Sequence, residues 1–268
     1  SQFKKDIMRF TKSELASNKL LKEIIKVFNS CDECFAVNKE VARIFYEDYH
    51  CKKYPLVMNN ATNMKRLDDF KKASKYINKK HNIKSNEKVF LFVGRLNLLK
   101  NILFIVDSLA ALKEKRPKLK FKMLFVGSGQ DEDKLVKRIN KLKLEKDIIL
   151  CGKIMDRTEL ACYYARADLF LFPSTYDASS IVQIEAASQE TPTIFLKNTA
   201  TASTVIDNVN GYISENSTGA FSDKIIDAIE DKKSYEKICK NAYIDLYKTW
   251  DETIDKVYDA YIDLINNK

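Results

Sequence analysis

The stretch Val89-Phe90-Leu91-Phe92-Val93-Gly94-Arg95-Leu96-Asn97-Leu98-Leu99-Lys100-Asn101 decides the fold class. Five apolar residues that favour extended backbone end at a glycine, and from about Asn101 to Lys115 the apolar positions recur at helical spacing. A strand therefore passes through a short loop into a helix. The same succession repeats along the chain. Strands are expected at Phe121–Val126, Ile148–Cys151, Leu169–Phe172 and Thr193–Leu196, with helices over 131–143, 158–165 and 180–188. Strands that are nearly continuously apolar are buried on both faces, and helices between them supply parallel crossovers. The chain is read as α/β, a parallel sheet with helices on both faces. Ligands of such sheets bind at the carboxyl ends of the strands, which is where the loops discussed below lie.

Outside this block, residues 1–60 read as a helix near 12–29, a strand at Cys34–Val37, a helix near 38–48 and an extended Pro55–Met58. So few strands do not make a stable sheet alone, so this piece reads as the tail of another α/β domain. Residues 61–87 are lysine-rich and partly helical, as expected of a connection. Three helical stretches follow Gly211. Residues 1–6 lack the apolar core of a signal peptide, and the missing initiator methionine suggests a piece of a longer chain.

Composition narrows the function. No run of about 18 apolar residues is present, which excludes a spanning helix. Of the six cysteines only Cys31 and Cys34 have metal-like or redox-like spacing, and no second pair completes a zinc site. Free thiols in a reducing cytoplasm are the plainer reading. Two histidines, His50 and His81, are too isolated for a His-dependent nucleophile. The net charge of +9 is uneven: residues 52–143 hold 24 Lys/Arg against 8 Asp/Glu, whereas residues 144–268 hold 13 against 21. Of the 46 basic residues 38 are Lys, scattered at helix-like spacing without a nucleic-acid signature, so nucleic acid is set aside as a partner. Most of the excess reads as a solvated surface, with anionic lipid headgroups left open as a partner.

Three loops could carry chemistry. Gly94-Arg95…Lys100 opens a helix, where two cations and free helix-end N–H groups suit a diphosphate. A plain βα loop with surface cations has the same composition. Val126-Gly127-Ser128-Gly129-Gln130-Asp131-Glu132-Asp133 invites comparison with a dinucleotide fingerprint, but the third glycine is missing and carboxylates stand where the pyrophosphate would lie. Those acids are expected to cap the next helix. The third loop follows Pro173 and leads through Tyr176-Asp177-Ala178-Ser179-Ser180-Ile181 to Glu185. Carboxylates accept from sugar and ribose hydroxyls, and the amides of Ser179, Ser180 and Ile181 would face phosphates. Asp177 could otherwise be an acid ahead of a helix and Glu185 a stray charge. An unpaired charge on so apolar a helix would be costly, which favours a role for Glu185.

Together these residues resemble the retaining GT-B glycosyltransferases of family 4, the group 1 family of bacterial sugar transferases. The motifs occur in that family's order: Gly94-Arg95…Lys100, Val126–Gly129, Gly152-Lys153-Ile154, Ala167–Ser174, Asp177-x7-Glu185, Thr191-Pro192-Thr193 and Asn210-Gly211. The resemblance implies a Rossmann-like C-terminal GT-B lobe at 88–245, a truncated α/β remnant of the N-terminal acceptor lobe at 1–60, a connection at 61–87, and a final helix at 246–268 returning to that lobe. It also implies roles. Arg95 and Lys100 would bind the donor diphosphate beside Gly94 and stabilise charge on the leaving nucleotide. The backbone at Lys153 and Ile154 would meet the base, Glu185 the ribose, and Asp177 the transferred sugar, with the amides of Ser179, Ser180 and Ile181 in support. On this reading the catalytic residues are Asp177, Arg95 and Lys100. The partners are a nucleotide-sugar donor, with UDP as the family expectation, and a glycan or lipid-linked acceptor. No cofactor or tightly bound metal is expected, and the location would be cytoplasmic, at or near the inner face of the membrane.

Three departures qualify the resemblance. Asp177 replaces the usual Glu and is one methylene shorter. Ala178-Ser179-Ser180 replaces a Gly-Phe-Gly type turn, which leaves the backbone less freedom. Most of the acceptor lobe, with its glycine-rich loop, would lie before residue 1. The alternative is therefore a nucleotide-sugar-binding module that does not catalyse transfer.

Overall fold

The computed structural model describes residues 7, 8 and 10–266, so the reading of residues 1–6 lies outside the described residues. In chain order the elements are α1 (Glu14–Ser30), β1 (Phe35–Ala36), α2 (Lys39–Arg43), β2 (Leu56–Val57), α3 (Phe70–Lys80), β3 (Lys88–Val93), α4 (Ile102–Lys115), β4 (Phe121–Val126) and α5 (Glu132–Lys141). There follow β5 (Ile148–Gly152), α6 (Arg157–Arg166), β6 (Leu169–Phe172), α7 (Ile181–Ser188), β7 (Thr193–Leu196), β8 (Tyr212–Ser214), α8 (Thr218–Glu230), α9 (Lys232–Leu246) and α10 (Trp250–Asn266). They form two compact units: Ala61–Thr249, and the residues up to Asn60 together with those from Trp250 on.

The larger unit is built on a six-stranded sheet in the order β5-β4-β3-β6-β7-β8, every neighbouring pair parallel. Helices cover both faces: α4 packs on α5 and α8, while α6 meets α3 and α7, and α7 meets α9. Aromatic rings fill the sheet's centre. Phe92 stacks on Phe172 at 6.2 Å between centroids, and Phe170 on Phe172 at 5.6 Å. All three rings are buried, and each contributes about 2 kcal/mol or more by leaving water. From β3 the chain builds outward to β4 and β5, then returns to lay β6 on the other side of β3. The loops after β3 and β6 therefore part at the switch point of the sheet, where such folds open a crevice.

The five strands expected from apolar runs are all present, and β8 is additional. It has three residues and completes the edge beyond β7, in register Ile194 to Tyr212. Residues 61–87 carry α3, whose Ala73 and Ile77 are buried. Tyr76 Oη donates to Glu159 at 2.9 Å, and Lys80 also pairs with Glu159.

At the end of α3, His81 Nε2 lies 2.7 Å from Tyr163 Oη. Burial holds this imidazole below its ordinary value of about 6.5, so on acidification the unfolded chain takes up the proton first. Stability is therefore expected to fall as pH drops through about 6.5 and below. His81→Gln should flatten that stretch of a urea-unfolding pH profile. An unchanged slope would assign the effect to another group.

The smaller unit pairs β1 with β2 in parallel, two residues each. Its helix expected over 38–48 changes pitch: α2 ends at Arg43 and a π-turn runs from Ile44 to Asp48, braced by Arg43 on both Glu40 and Glu47 at 2.8 Å. Phe45 packs edge-on against Phe28 at 4.7 Å, and Phe35 against Tyr261 of α10 at 6.2 Å. All six cysteines are free thiols. Cys31 and Cys34 donate to the carbonyls of Val27 and Phe28, where α1 ends. Burial pushes the Cys34 and Cys51 thiols up in this unit and, in the larger one, Cys151 up to about 12, which makes them poor nucleophiles. No described helix is long and apolar enough to cross a membrane.

Candidate functional site

The loop leaving β3 is tied to the loop leaving β4. Gly94 N–H donates to Val126 O at 3.0 Å, Leu96 N–H to Ser128 O at 3.0 Å, and Asp131 N–H to Leu96 O at 3.1 Å. Contact this close is why residues 127 and 129 are glycines. A Cβ on Gly127 would sit 1.9 Å from Gly94 O, and one on Gly129 2.2 Å from Leu96 O. Asp131 differs from expectation. It precedes α5 but its side chain caps nothing there; Oδ2 accepts from Leu98 N–H at 3.0 Å and Oδ1 from Lys134. The competing demand is the unpaired amide of Leu98, which the carboxylate satisfies across the two loops.

That bracing fixes a short 3-10 turn, Leu98–Lys100, which Asn97 caps by accepting from Lys100 N–H at 3.1 Å. Asn101 then takes a left-handed conformation (φ 60°), which Asn tolerates, and its amide donates to Pro173 O at 3.2 Å. The β3 and β6 loops are thereby joined at the switch point.

Lys100 is aimed across this junction. Its ammonium pairs with Asp177 Oδ1 and stands 5.6 Å over the Phe172 ring. The two side chains are 22% and 17% exposed, sheltered enough for the attraction to exceed that of a surface pair. Asp177 Oδ2 is buried and has no hydrogen-bond partner among the described residues. A buried acceptor in that state costs about 1–3 kcal/mol, recoverable by any donor that reaches it. Ser180 is buried and makes no side-chain cap, and α7 begins at the exposed Ile181. Amides of a helix's first turn have no partner within the helix.

Glu185, one turn into α7, is 4% exposed and is not a stray charge. Oε1 accepts from Arg157 and Oε2 from Tyr164 Oη at 3.0 Å, both on α6. Burial, and then Glu185 itself, push the Tyr164 phenol well above its ordinary range, so it remains a donor. Before α6, Gly152 turns the chain out of β5 with φ 68°, Lys153 is exposed, and Ile154 is half-buried against the core.

The structure thus joins Lys100 with Asp177 but not with Glu185, which has its own cation. Arg95 is exposed, and its guanidinium forms no ion pair among the described residues. Arg157 and Tyr164 escaped sequence reading. Arg157 follows Asp156, which caps α6 by accepting from Thr158 and Glu159 N–H at 2.8 and 2.9 Å, so it looks like an ordinary first-turn residue. The available signal was the cost of leaving Glu185 buried alone. Among the described residues, no group of three or more His, Cys, Asp or Glu is placed to hold a metal ion. Two carboxylates, each held by a cation of this chain, therefore stand at the carboxyl ends of the strands.

The chain is similar to known proteins in sequence and in fold. Alpha-monoglucosyldiacylglycerol synthase of Streptococcus pneumoniae is 23% identical over 197 residues, 72% of this chain and 44% of that protein. The UDP-Gal:alpha-D-GlcNAc-diphosphoundecaprenol alpha-1,3-galactosyltransferase of Escherichia coli is 25% identical over 190 residues, 69% of this chain and 48% of that protein. The chain spans under half the length of these curated relatives. Among solved structures, Anabaena Alr3699/HepE in complex with UDP and glucose has a TM-score of 0.76 at 18% identity, over 90% of this chain and 66% of that one. The sheet is that of GT-B glycosyltransferases. The family model for glycosyl transferases group 1 matches residues 73–245, more than half of the 268, and the chain belongs to that family.

Proposed function

We propose that this chain is the donor-binding part of a family 4 enzyme that moves a sugar from a UDP-sugar to a polysaccharide or lipid acceptor with retention of configuration. The observation that carries the reading is the Lys100–Asp177 pair at the switch point of the sheet. The diphosphate of a donor takes the place of the Asp177 carboxylate on Lys100, aided by Arg95, by the Gly94 backbone and by the amides of Ser179, Ser180 and Ile181. As the glycosidic bond breaks, negative charge grows on the diphosphate, and these fixed donors stabilise it. Asp177, released from the lysine and with Oδ2 short of a partner, accepts from hydroxyls of the sugar. Lys153 and Ile154 meet the base through their backbone, and Glu185 meets the ribose.

In this reading residues 88–245 are the donor domain and 61–87 its connection, while 1–60 and 246–268 belong to the acceptor lobe. The named activities of the two relatives, one on a diacylglycerol lipid and one on a diphosphoundecaprenol, support a lipid-linked acceptor. The lysine-rich 52–143 segment supports contact with an anionic membrane surface at the cytoplasmic face.

Calorimetric titration with UDP and UDP-glucose tests the reading. Asp177→Ala is expected to leave UDP binding equal or about twofold tighter, since a competing anion is gone. It should weaken UDP-glucose about tenfold relative to UDP, the loss of one charge-assisted hydrogen bond. Equal losses for both ligands would remove Asp177 as the sugar contact, and no binding of either would sink the proposal. Binding without donor hydrolysis or transfer would instead favour a module that holds nucleotide sugars without catalysis.

A further inference from the structure

Resting on the reading of Glu185 as the ribose contact, we infer that Arg157 is a displaceable cover over Glu185 and Tyr164 its fixed orienter. The ribose diol of the donor enters by exchange for the guanidinium. Glu185 is 4% exposed with both oxygens engaged, so a diol reaches it only after one partner leaves. The two partners differ sharply in what holds them. Tyr164 is fully buried and rests edge-on against Phe170 at 5.7 Å. The Arg157 side chain is 56% exposed, touches the carboxylate through Nη2, and forms no second ion pair among the described residues. Arg157 is therefore the movable partner. Opening a pair with one member so exposed costs affinity only about a two- to fivefold factor.

The exchange is matched in chemistry. Two ribose hydroxyls supply two donors, and a carboxylate that keeps its bond from Tyr164 still has lone pairs on both oxygens. The guanidinium is a placeholder cation on Glu185 until the diol arrives. A nucleotide without the diol has nothing to offer in its place. Arg157 so acts on ribose recognition through Glu185, as a positioning residue outside the chemistry itself.

The test compares UDP with its 2′,3′-dideoxy analogue by calorimetry on the whole chain and its variants. Arg157→Ala is expected to tighten UDP about two- to fivefold and leave the analogue unchanged, so preference for the diol rises. Tyr164→Phe should lower that preference about fivefold or more, because Glu185 loses its orienting bond. A residue needed only for structure would not move the ratio in opposite directions. Arg157→Ala weakening UDP, or shifting both ligands equally, would overturn the inference while leaving the nucleotide-sugar reading standing. No UDP binding by the unaltered chain would overturn both. Arg157→Ala strands the buried Glu185 carboxylate, so Arg157→Gln, which keeps a neutral donor there and should likewise tighten UDP alone, decides the matter should either other variant prove unstable; unfolding midpoints of each variant report this.

Discussion

Lys100→Ala is expected to weaken UDP and a UDP-sugar by the same factor, about 10- to 100-fold, since a charge-assisted hydrogen bond contributes about 1.5–3 kcal/mol. Both ligands carry the diphosphate, and Lys100 is held where it would meet that group by Asn97, Asn101 and the underlying Phe172 ring. The loss should exceed the Asp177→Ala effect on UDP and differ from it in pattern. Removing the lysine also strands Asp177, whose other oxygen already has no partner among the described residues. The half-buried carboxylate would then have lost its cation, so thermal stability should fall as well. Titration of both ligands, with a melting curve of the free variant, checks the claim. A loss confined to the UDP-sugar would place Lys100 on the sugar and not on the phosphates.

The largest stability loss is expected from Gly127→Ala. The new Cβ would lie 1.9 Å from Gly94 O at φ 136°, so both a backbone clash and an unfavourable conformation must be relieved. Each commonly costs about 1–3 kcal/mol, and a combined loss of about 3 kcal/mol is expected. For a unit of this size that lowers the melting midpoint by about 6–12 °C. Gly219→Ala is the control, since the nearest atom to its Cβ is the Lys115 ammonium at 3.9 Å and it lies in the first turn of α8. A glycine in a helix costs about 0.5–1 kcal/mol against alanine, so this variant should be neutral or slightly more stable. Equal losses for the two would refute the argument from backbone approach.

The parallel sheet was legible because its strands are buried on both faces and therefore read as unbroken apolar runs. Val89–Val93 and Leu169–Phe172 are examples, each continuous and ended by a glycine or a proline, whereas Phe121–Val126 is broken only by Lys122 near its start. Tyr212–Ser214 escaped because three residues after an Asn-Gly turn give no periodicity to detect, and only pairing with β7 makes them a strand. The π-turn at Ile44–Asp48 escaped because helix and π-turn share one apolar spacing over so short a span. At the site, loop positions were readable from strand ends, while partnerships were not. Asp131 carries the signature of a helix cap and serves Leu98 of the neighbouring loop instead. Glu185 was readable as a charge that needed company, but its companions lie 21 and 28 positions away on α6, a separation that sequence spacing does not reveal.

The ties between the β3 and β4 loops carry a further consequence for the rate at which the proposed nucleotide would be captured. Main-chain bonds from Gly94, Leu96 and Asp131 set the shape of that cradle when the unit folds. Its conformational entropy is therefore surrendered at folding and is not charged again at binding. On the proposed reading, an arriving nucleotide would meet the edge of that cradle already ordered, without a loop-closing delay. Slow steps in such an encounter would belong to the side chains that must let go of one another, the lysine from Asp177 and the guanidinium from Glu185.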